Sequence, residues 1–245
     1  RQMCIRDRHN MNIIMTGATS FVGAATVREL LRRGHTVTAI ARPASSKLGM
    51  ILDGNEEALL SGRLLVTEND LPEPEQLLEK VTKPQDVFCH FGWGGSGSAS
   101  RTDRALQEKN LEISLETIRT AKALGCKKFL FSGSQAEYGM HQDLITENTV
   151  CEPKSLYGEA KLAMREKGEK LCDELGLRYI HARIFSAYGP GDHPWTLVES
   201  CLDTFLSNKE MSLGACTQKW NFLYIDDLAR GMAALCDCLL YTSPS

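Results

Sequence analysis

Apolar and polar positions along the chain alternate between two periods. Short runs rich in apolar and β-branched residues read as strands: Asn12–Thr16 (NIIMT), Thr36–Ala41 (TVTAIA), 64–67, 86–91 (DVFCHF), 128–132 (KFLFS) and 178–185 (RYIHARIF). Between them, 21–33, 72–81, 101–124 and 155–175 read as helices, most clearly where apolar residues recur at helical spacing. Gly34, Gly125 and Gly176 stand where three of these helices should stop. Strands alternating with helices of this length predict the α/β class, a Rossmann-type doubly wound parallel sheet covered on both faces. The alternation loosens after Gly189. We therefore expect a main domain over 11–188 and a small, truncated C-terminal substrate lobe over 189–237.

The two ends do not follow the pattern. RQMCIRDR at the start and CLLYTSPS at the end resemble translated sequencing-adapter read-through. We expect 1–10 and 238–245 to be non-native tails on a fragment whose native start is Met11. Genuine disordered tails are the alternative.

Composition narrows the function class. The 245 residues are 42% hydrophobic and 24% charged, enough for one core and a small lobe. A net charge of -3 and a pI near 6.1 do not suit a nucleic-acid partner. No apolar run approaches the ~20 residues that span a bilayer, so no membrane partner is expected. Ile13, Ile14 and Met15 are too short a stretch for a secretory signal. Nine cysteines without a C-x-x-C pair fit neither a zinc site nor a disulfide framework. The expectation is free thiols, no metal and a cytoplasmic location.

The first strand runs into Thr16-Gly17-Ala18-Thr19-Ser20-Phe21-Val22-Gly23, which opens a helix. Such a turn aims backbone N–H groups and the positive end of a helix at a pyrophosphate. Gly17 suits the tight turn and Gly23 the close packing of helix on strand. Ser20 occupies the middle position, where glycine is usual; its hydroxyl can donate to a phosphate, while its Cβ crowds the approach. Gly17, Thr19, Ser20, Phe21, Val22 and Gly23 are thus candidate cofactor contacts; an ordinary strand–helix turn is the alternative. NAD sites commonly end the second strand in a carboxylate for the ribose 2′-OH. Here 39–43 (AIARP) supplies none. Arg42, aided by Ser45, Ser46 and Lys47, could instead hold a 2′-phosphate, so NADP is favoured over NAD unless Arg42 is only a solvated charge. Asp70 could accept from the adenine amine.

Tyr157 and Lys161 are four apart on a helix and share a face. A phenol has a pKa near 10 and is a poor base until a nearby cation favours the phenolate. The lysine can supply that cation and hold the nicotinamide ribose. Ser134, just beyond a strand end, lies where open α/β sheets bind ligands and could hold the reacting oxygen; a loop-capping serine is the alternative. Asn110, a poor helix former inside a long helix, either holds a relaying water or faces solvent.

Taken in order, these segments resemble the NAD-dependent epimerase/dehydratase family, the extended short-chain dehydrogenases acting on nucleotide sugars. The segments are T-G-A-T-S-F-V-G, H-F-G-W at 90–93, Asn110, F-S-G-S-Q-A-E-Y-G, Y-G-E-A-K, A-R-I-F-S-A-Y-G-P-G-D and F-L-Y-I-D-D-L-A-R-G. The resemblance covers 11–236. It implies a dinucleotide-binding domain over 11–188, catalytic Ser134, Tyr157, Lys161 and Asn110, and cofactor contacts from Phe91, Gly92, Trp93 and Ser132. It also implies a homodimer whose four-helix interface uses the helices at 101–124 and 155–175.

Departures narrow the reaction. The acidic pair that family dehydratases carry after the catalytic hydroxyl is here Gln135 and Ala136, so dehydration is disfavoured; Glu137, one position late, is expected to point elsewhere. Ser186 stands where the family often has Asn. Trp220 replaces its phosphate-clamping Arg, with Lys219 beside it; Lys is not a bidentate clamp. Trp220 could stack on a base or simply pack. Asp226 and Asp227 are expected to cap a helix rather than bind metal. The sequence reading is an NAD(P)-dependent oxidoreductase or epimerase performing 4-epimerisation or 4-keto reduction of a nucleoside-diphosphate sugar through Ser134, Tyr157 and Lys161. The substrate contacts would be Ser134, Gln135, Ser186, Lys219 and Trp220. A non-catalytic NAD(P)-binding sensor on the same fold is the alternative.

Overall fold

A computed structural model describes residues 10–95, 97 and 99–238. The tail stretches 1–9 and 239–245 lie outside the described residues. Six strands form the main sheet: β1 (Asn12–Thr16), β2 (Thr36–Ala41), β3 (Leu64–Glu68), β4 (Val87–His90), β5 (Lys128–Ser134) and β6 (Arg178–Ile184). All pairings are parallel, in the order β3-β2-β1-β4-β5-β6. The helices are α1 (Phe21–Arg32), α2 (Gly49–Leu52), α3 (Glu56–Leu60), α4 (Leu77–Lys80), α5 (Arg104–Ala123) and α6 (Leu156–Leu175). Beyond them come β7 (Ser186–Tyr188), α7 (Leu197–Leu206), β8 (Phe222–Tyr224) and α8 (Ile225–Asp237).

The period-2 alternation of a strand explains the two layers. Ile13 and Met15, with Val37, Ala39, Val87 and Cys89, point to one face, where α1 and α8 cover them. Ile14, Ile40, Phe88, Phe129 and Phe131 point to the other, covered by residues of α4, α5 and α6. The strand order reverses between β1 and β4, which opens a crevice beyond their carboxyl ends.

Local chemistry sets the helix boundaries. Asp103 accepts from Leu106 N at 3.1 Å and starts α5 three residues later than periodicity suggests. Ser155 caps α6 through Gly158 N, and Gly176 closes it in the left-handed region. The helix expected over 72–81 is a 3-10 turn, Pro74–Gln76, followed by the single turn of α4. Two short helices, α2 and α3, fill the unassigned stretch before β3.

The larger difference concerns α8. It was expected in the substrate lobe, but its apolar stripe of Ile225, Leu228, Ala229, Met232, Ala233 and Cys236 is buried in the core beside α1. Arg33 and His35 both bind Asp237, at 2.6 and 2.7 Å, and tie the end of α8 to the end of α1. Asp226 and Asp227 lie in the first turn of α8 without capping it; Tyr224 holds the cap position. Parallel strands β7 and β8 form a second, two-stranded sheet that the sequence pattern did not disclose. No helix among the described residues is long and apolar enough to cross a membrane.

Candidate active site

A cleft of about 590 Å³ opens at the crevice between β1 and β4. Gly17, Thr19, Ser20 and Phe21 from the β1–α1 turn line it, with Arg42, Asp70, Phe91, Gly92, Trp93, Asn110, Ser132, Tyr157 and Lys161. Residues spread over 145 positions, Gly17 to Lys161, thus share one wall-to-wall space. Val22 and Gly23 support the turn from behind; Val22 packs on the core. Ser134, Gln135, Ser186, Lys219 and Trp220 do not line this cleft.

The β1–α1 turn is built by two close approaches. Gly17 has φ +68°, and a Cβ there would meet the Phe91 carbonyl carbon at 2.6 Å. A Cβ on Gly23 would lie 2.1 Å from the Gly17 oxygen. Ser20 explains its own presence at the middle position. Its hydroxyl donates to Gly17 O at 2.7 Å and accepts from Gly23 N at 3.1 Å, so it caps α1 rather than reaching outward.

Behind the cleft a buried chain of hydrogen bonds fixes a neutral histidine. Ser114 donates to Asn110 O, so its oxygen must accept from His90 Nε2–H at 2.9 Å. His90 Nδ1 then accepts from the Thr16 hydroxyl at 2.7 Å. Burial, with the charge of Lys161, pushes His90 down to about 3. Asn110 does not face solvent: its amide donates to Gly94 O at 2.7 Å and its oxygen accepts from Gly94 N at 3.1 Å. It clamps the loop that carries Trp93.

Tyr157 and Lys161 stand on α6 as their spacing requires. Lys161 is 2% exposed and donates to Ser132 O at 2.8 Å. Its ammonium lies 4.0 Å over the Trp93 ring and 4.5 Å over Phe131. Burial pushes its pKa down to about 7. The Tyr157 ring stands perpendicular to Trp93, with centroids 6.2 Å apart. Burial raises its phenol above the ordinary value, against the lowering effects of a hydrogen bond with Ser134 and the charge of Arg101. Two cations stand beside the phenol: Arg101, whose Cζ is 4.8 Å over the Tyr157 ring, and Lys161, whose Nζ is 5.6 Å over it while donating to the Ser132 carbonyl. Arg101 precedes α5 in a 3-10 turn, and no periodic signal singled it out.

Ser134 is the last residue of β5 and caps the turn Gln135–Glu137 by accepting from Ala136 N at 3.2 Å. Catalytic and capping readings thus fall on one hydroxyl. Glu137 points away from the cleft, as its late position suggests: it is fully buried, accepts from Ser134 N at 2.8 Å and faces His181 and Arg183. The Ser-x-x-Glu spacing of a capping box was a legible signal for it. Gln135 opens the same turn. Trp220 neither packs nor lies free: it is 58% exposed and its indole N–H donates to Ser186 Oγ at 2.8 Å. Lys219 beside it is exposed. A second recess, about 370 Å³, is lined by Arg42, Pro43, Ala44, Ser45, Ser46 and Asp70.

A family model described as the NAD dependent epimerase/dehydratase family matches residues 13–238. A Bacillus subtilis protein described as an uncharacterized UDP-glucose epimerase is 28% identical over 92% of this chain and 72% of its own length. A dTDP-6-deoxy-L-talose 4-dehydrogenase (NAD(+)) of Aggregatibacter actinomycetemcomitans is 28% identical over 69% of this chain; the match spans 60% of that relative. Among solved structures, a UDP-glucose 4-epimerase from Thermotoga maritima with UDP-glucose superposes with TM-score 0.76 at 25% identity, covering 90% of this chain and 71% of that one. A Bacillus cereus UDP-glucuronic acid 4-epimerase in complex with NAD gives 0.77 at 24% identity over 93% and 73%, a likeness of fold.

Proposed function

The chain belongs to the NAD-dependent epimerase/dehydratase family, and from that premise we propose that it binds a nicotinamide dinucleotide and oxidises or reduces C4 of a nucleoside-diphosphate sugar. The observation that carries the reading is that Tyr157 and Lys161 line a cleft that begins on a helix N-terminus, with the Ser134 hydroxyl hydrogen-bonded to Tyr157 beside it. The residues fit the cofactor. The β1–α1 turn leaves no room for a Cβ at Gly17 or Gly23, the tight turn and close packing that aim the N-terminus of α1 at a pyrophosphate. Trp93, Ser132 and Lys161 would hold the nicotinamide end, and Asp70 the adenine end. When bound, the nicotinamide supplies a hydride acceptor or donor. Tyr157 exchanges a proton with the C4 oxygen, and Ser134 holds that oxygen by hydrogen bonding to both partners. Arg101 favours the phenolate while this happens.

A Ser186–Trp220 pair on the β7–β8 side would meet the nucleotide, with Lys219 near the phosphates. Elimination of water is disfavoured, because Gln135 and Ala136 carry no acid–base group and Glu137 is committed to three partners. The α5–α6 face would form the four-helix homodimer interface, which sedimentation would test.

The test combines turnover with cofactor titration. Tyr157→Phe should bind dinucleotide within about threefold of the parent and lose turnover of a UDP- and dTDP-sugar panel by about 10²–10⁴-fold. Turnover retained in that variant would overturn the site. Normal cofactor binding with no turnover by the parent would favour the sensor reading. For the cofactor, we propose NADP, held by Arg42 with the Ser45–Ser46 rim of the second recess. The Arg42→Ala variant should lose NADPH affinity by about tenfold or more and leave NADH affinity unchanged, the loss of one charge-assisted phosphate contact. Equal affinity of the parent for both would overturn the Arg42 assignment and point to an epimerase that recycles NAD.

A further inference from the structure

Beneath the candidate site lies a set of charges that the proposed reaction does not use. Glu137 is 0% exposed, and its carboxylate is fully partnered. Oε1 accepts from the Ser134 main-chain N–H at 2.8 Å, and Oε2 from Arg183 Nε at 2.7 Å. His181 Nε2 sits 2.9 and 3.0 Å from the two oxygens. On the far side of that ring, Tyr179 O–H lies 2.9 Å from Nδ1. Tyr179 O–H donates to Met164 O at 3.1 Å, so its oxygen accepts from His181 Nδ1–H while Nε2 meets the Glu137 carboxylate. Arg183 is held in turn by Tyr138, whose hydroxyl and ring it contacts at 3.0 and 4.5 Å, and by the Cys151 sulfur at 3.3 Å. An isolated buried carboxylate is costly, and a purely structural anchor needs no charge. This one is kept ionised and is bonded to the residue whose hydroxyl meets Tyr157.

We propose that Glu137 is a positioning residue: from beneath β5 it anchors the Ser134 main chain, so that the Ser134 hydroxyl is presented to Tyr157, and it brings a fixed negative charge under the site. The inference rests on the reading of Ser134 and Tyr157 given above. Arg183 and His181 hold Glu137 below its ordinary range despite burial, so the charge persists at neutral pH. Its field disfavours the phenolate of Tyr157 and favours the ammonium of Lys161. Around the phenol, Arg101 from the turn before α5 opposes Glu137, and Lys161 stands on the phenol's own helix. Around Glu137, the facing charged and titratable groups are Arg183, His181 and Tyr179 from β6 and Tyr157 and Lys161 from α6.

The experiment reads Tyr157 directly and needs no substrate. The phenolate absorbance of Tyr157 is titrated as the difference between each protein and its Tyr157→Phe derivative. Glu137→Gln keeps an acceptor for Ser134 N–H but removes the charge, and the midpoint should fall. Glu137→Asp keeps the charge but withdraws it by one methylene. Its midpoint should stay near the parent's, while kcat falls about tenfold at unchanged KM. An unmoved midpoint in Glu137→Gln overturns the proposal, and so does failure of both variants to fold, which would make the carboxylate a structural support alone. A missing substrate would leave the titration readable, so failure of the functional reading and failure of this one are distinguishable.

Discussion

Lys161→Met is expected to make the protein more stable at pH 6 and nearly inactive. The lysine is 2% exposed, and burial pushes its pKa to about 7 against an ordinary 10.5. The sign follows from linkage. The unfolded chain keeps this proton up to the ordinary value, and the folded chain releases it near 7, so stability rises with pH across that window. Below about 7 the full penalty of the buried ammonium is present, on the order of 2–4 kcal/mol after allowing for its ring contacts and the Ser132 carbonyl. Methionine fills similar space without charge. The variant should therefore melt higher than the parent at pH 6, with the gap narrowing at pH 9 and closing only as the pH approaches 10.5. Turnover should fall by about 10²–10⁴-fold if Lys161 holds the ribose and supports the phenol as proposed. Thermal melts at the two pH values check the first part. A gap that does not change with pH would show that the buried ammonium carries no such penalty.

Gly23→Ala is expected to cost both stability and cofactor affinity. The added methyl would lie 2.1 Å from the Gly17 oxygen and 2.9 Å from the Ser20 hydroxyl. That oxygen already accepts from Ser20 N and Ser20 Oγ, so the turn cannot yield without losing the α1 cap. Overpacking of this kind costs about 1–3 kcal/mol. Displaced N–H groups should weaken dinucleotide binding by about tenfold or more, in calorimetric titration of NADH and NADPH. Gly231→Ala in α8 is the control. Nothing lies within 4 Å of its added Cβ, and helix propensity favours alanine by about 1 kcal/mol, so that variant should melt at or above the parent. Equal effects at the two positions would show that close approach at Gly23 is not what matters.

These expectations also show where a one-dimensional reading stops. Tyr157 and Lys161 were legible because helical spacing alone puts them on one face. Gly17 and Gly23 were legible because the turn from a buried strand into a helix demands small residues at those points. Ser20 was read as a phosphate donor, yet a serine at a helix start satisfies the helix's own orphan N–H groups first. Lys161 was legible as a cation beside Tyr157 because sequence offers neighbours along a helix; the second cation, Arg101, arrives from another segment. Glu137 was set aside by counting positions, although its capping-box spacing was visible. What could not be read was that Arg183 and His181, two apart on β6, would meet it from the next strand.

By itself the sequence determined the α/β class, the six main strands and the residues at the β1–α1 turn, because each rests on local periodicity, capping or steric need within a few residues. Tertiary structure decided the rest. It placed α8 on the α1 face, because an amphipathic stripe declares that it must be buried but not against what. It paired β7 with β8, because strands of three residues carry too few positions to announce a partner. It also set the charge on Tyr157, Lys161 and Glu137, because a pKa answers to burial and to charges that only the folded chain brings together.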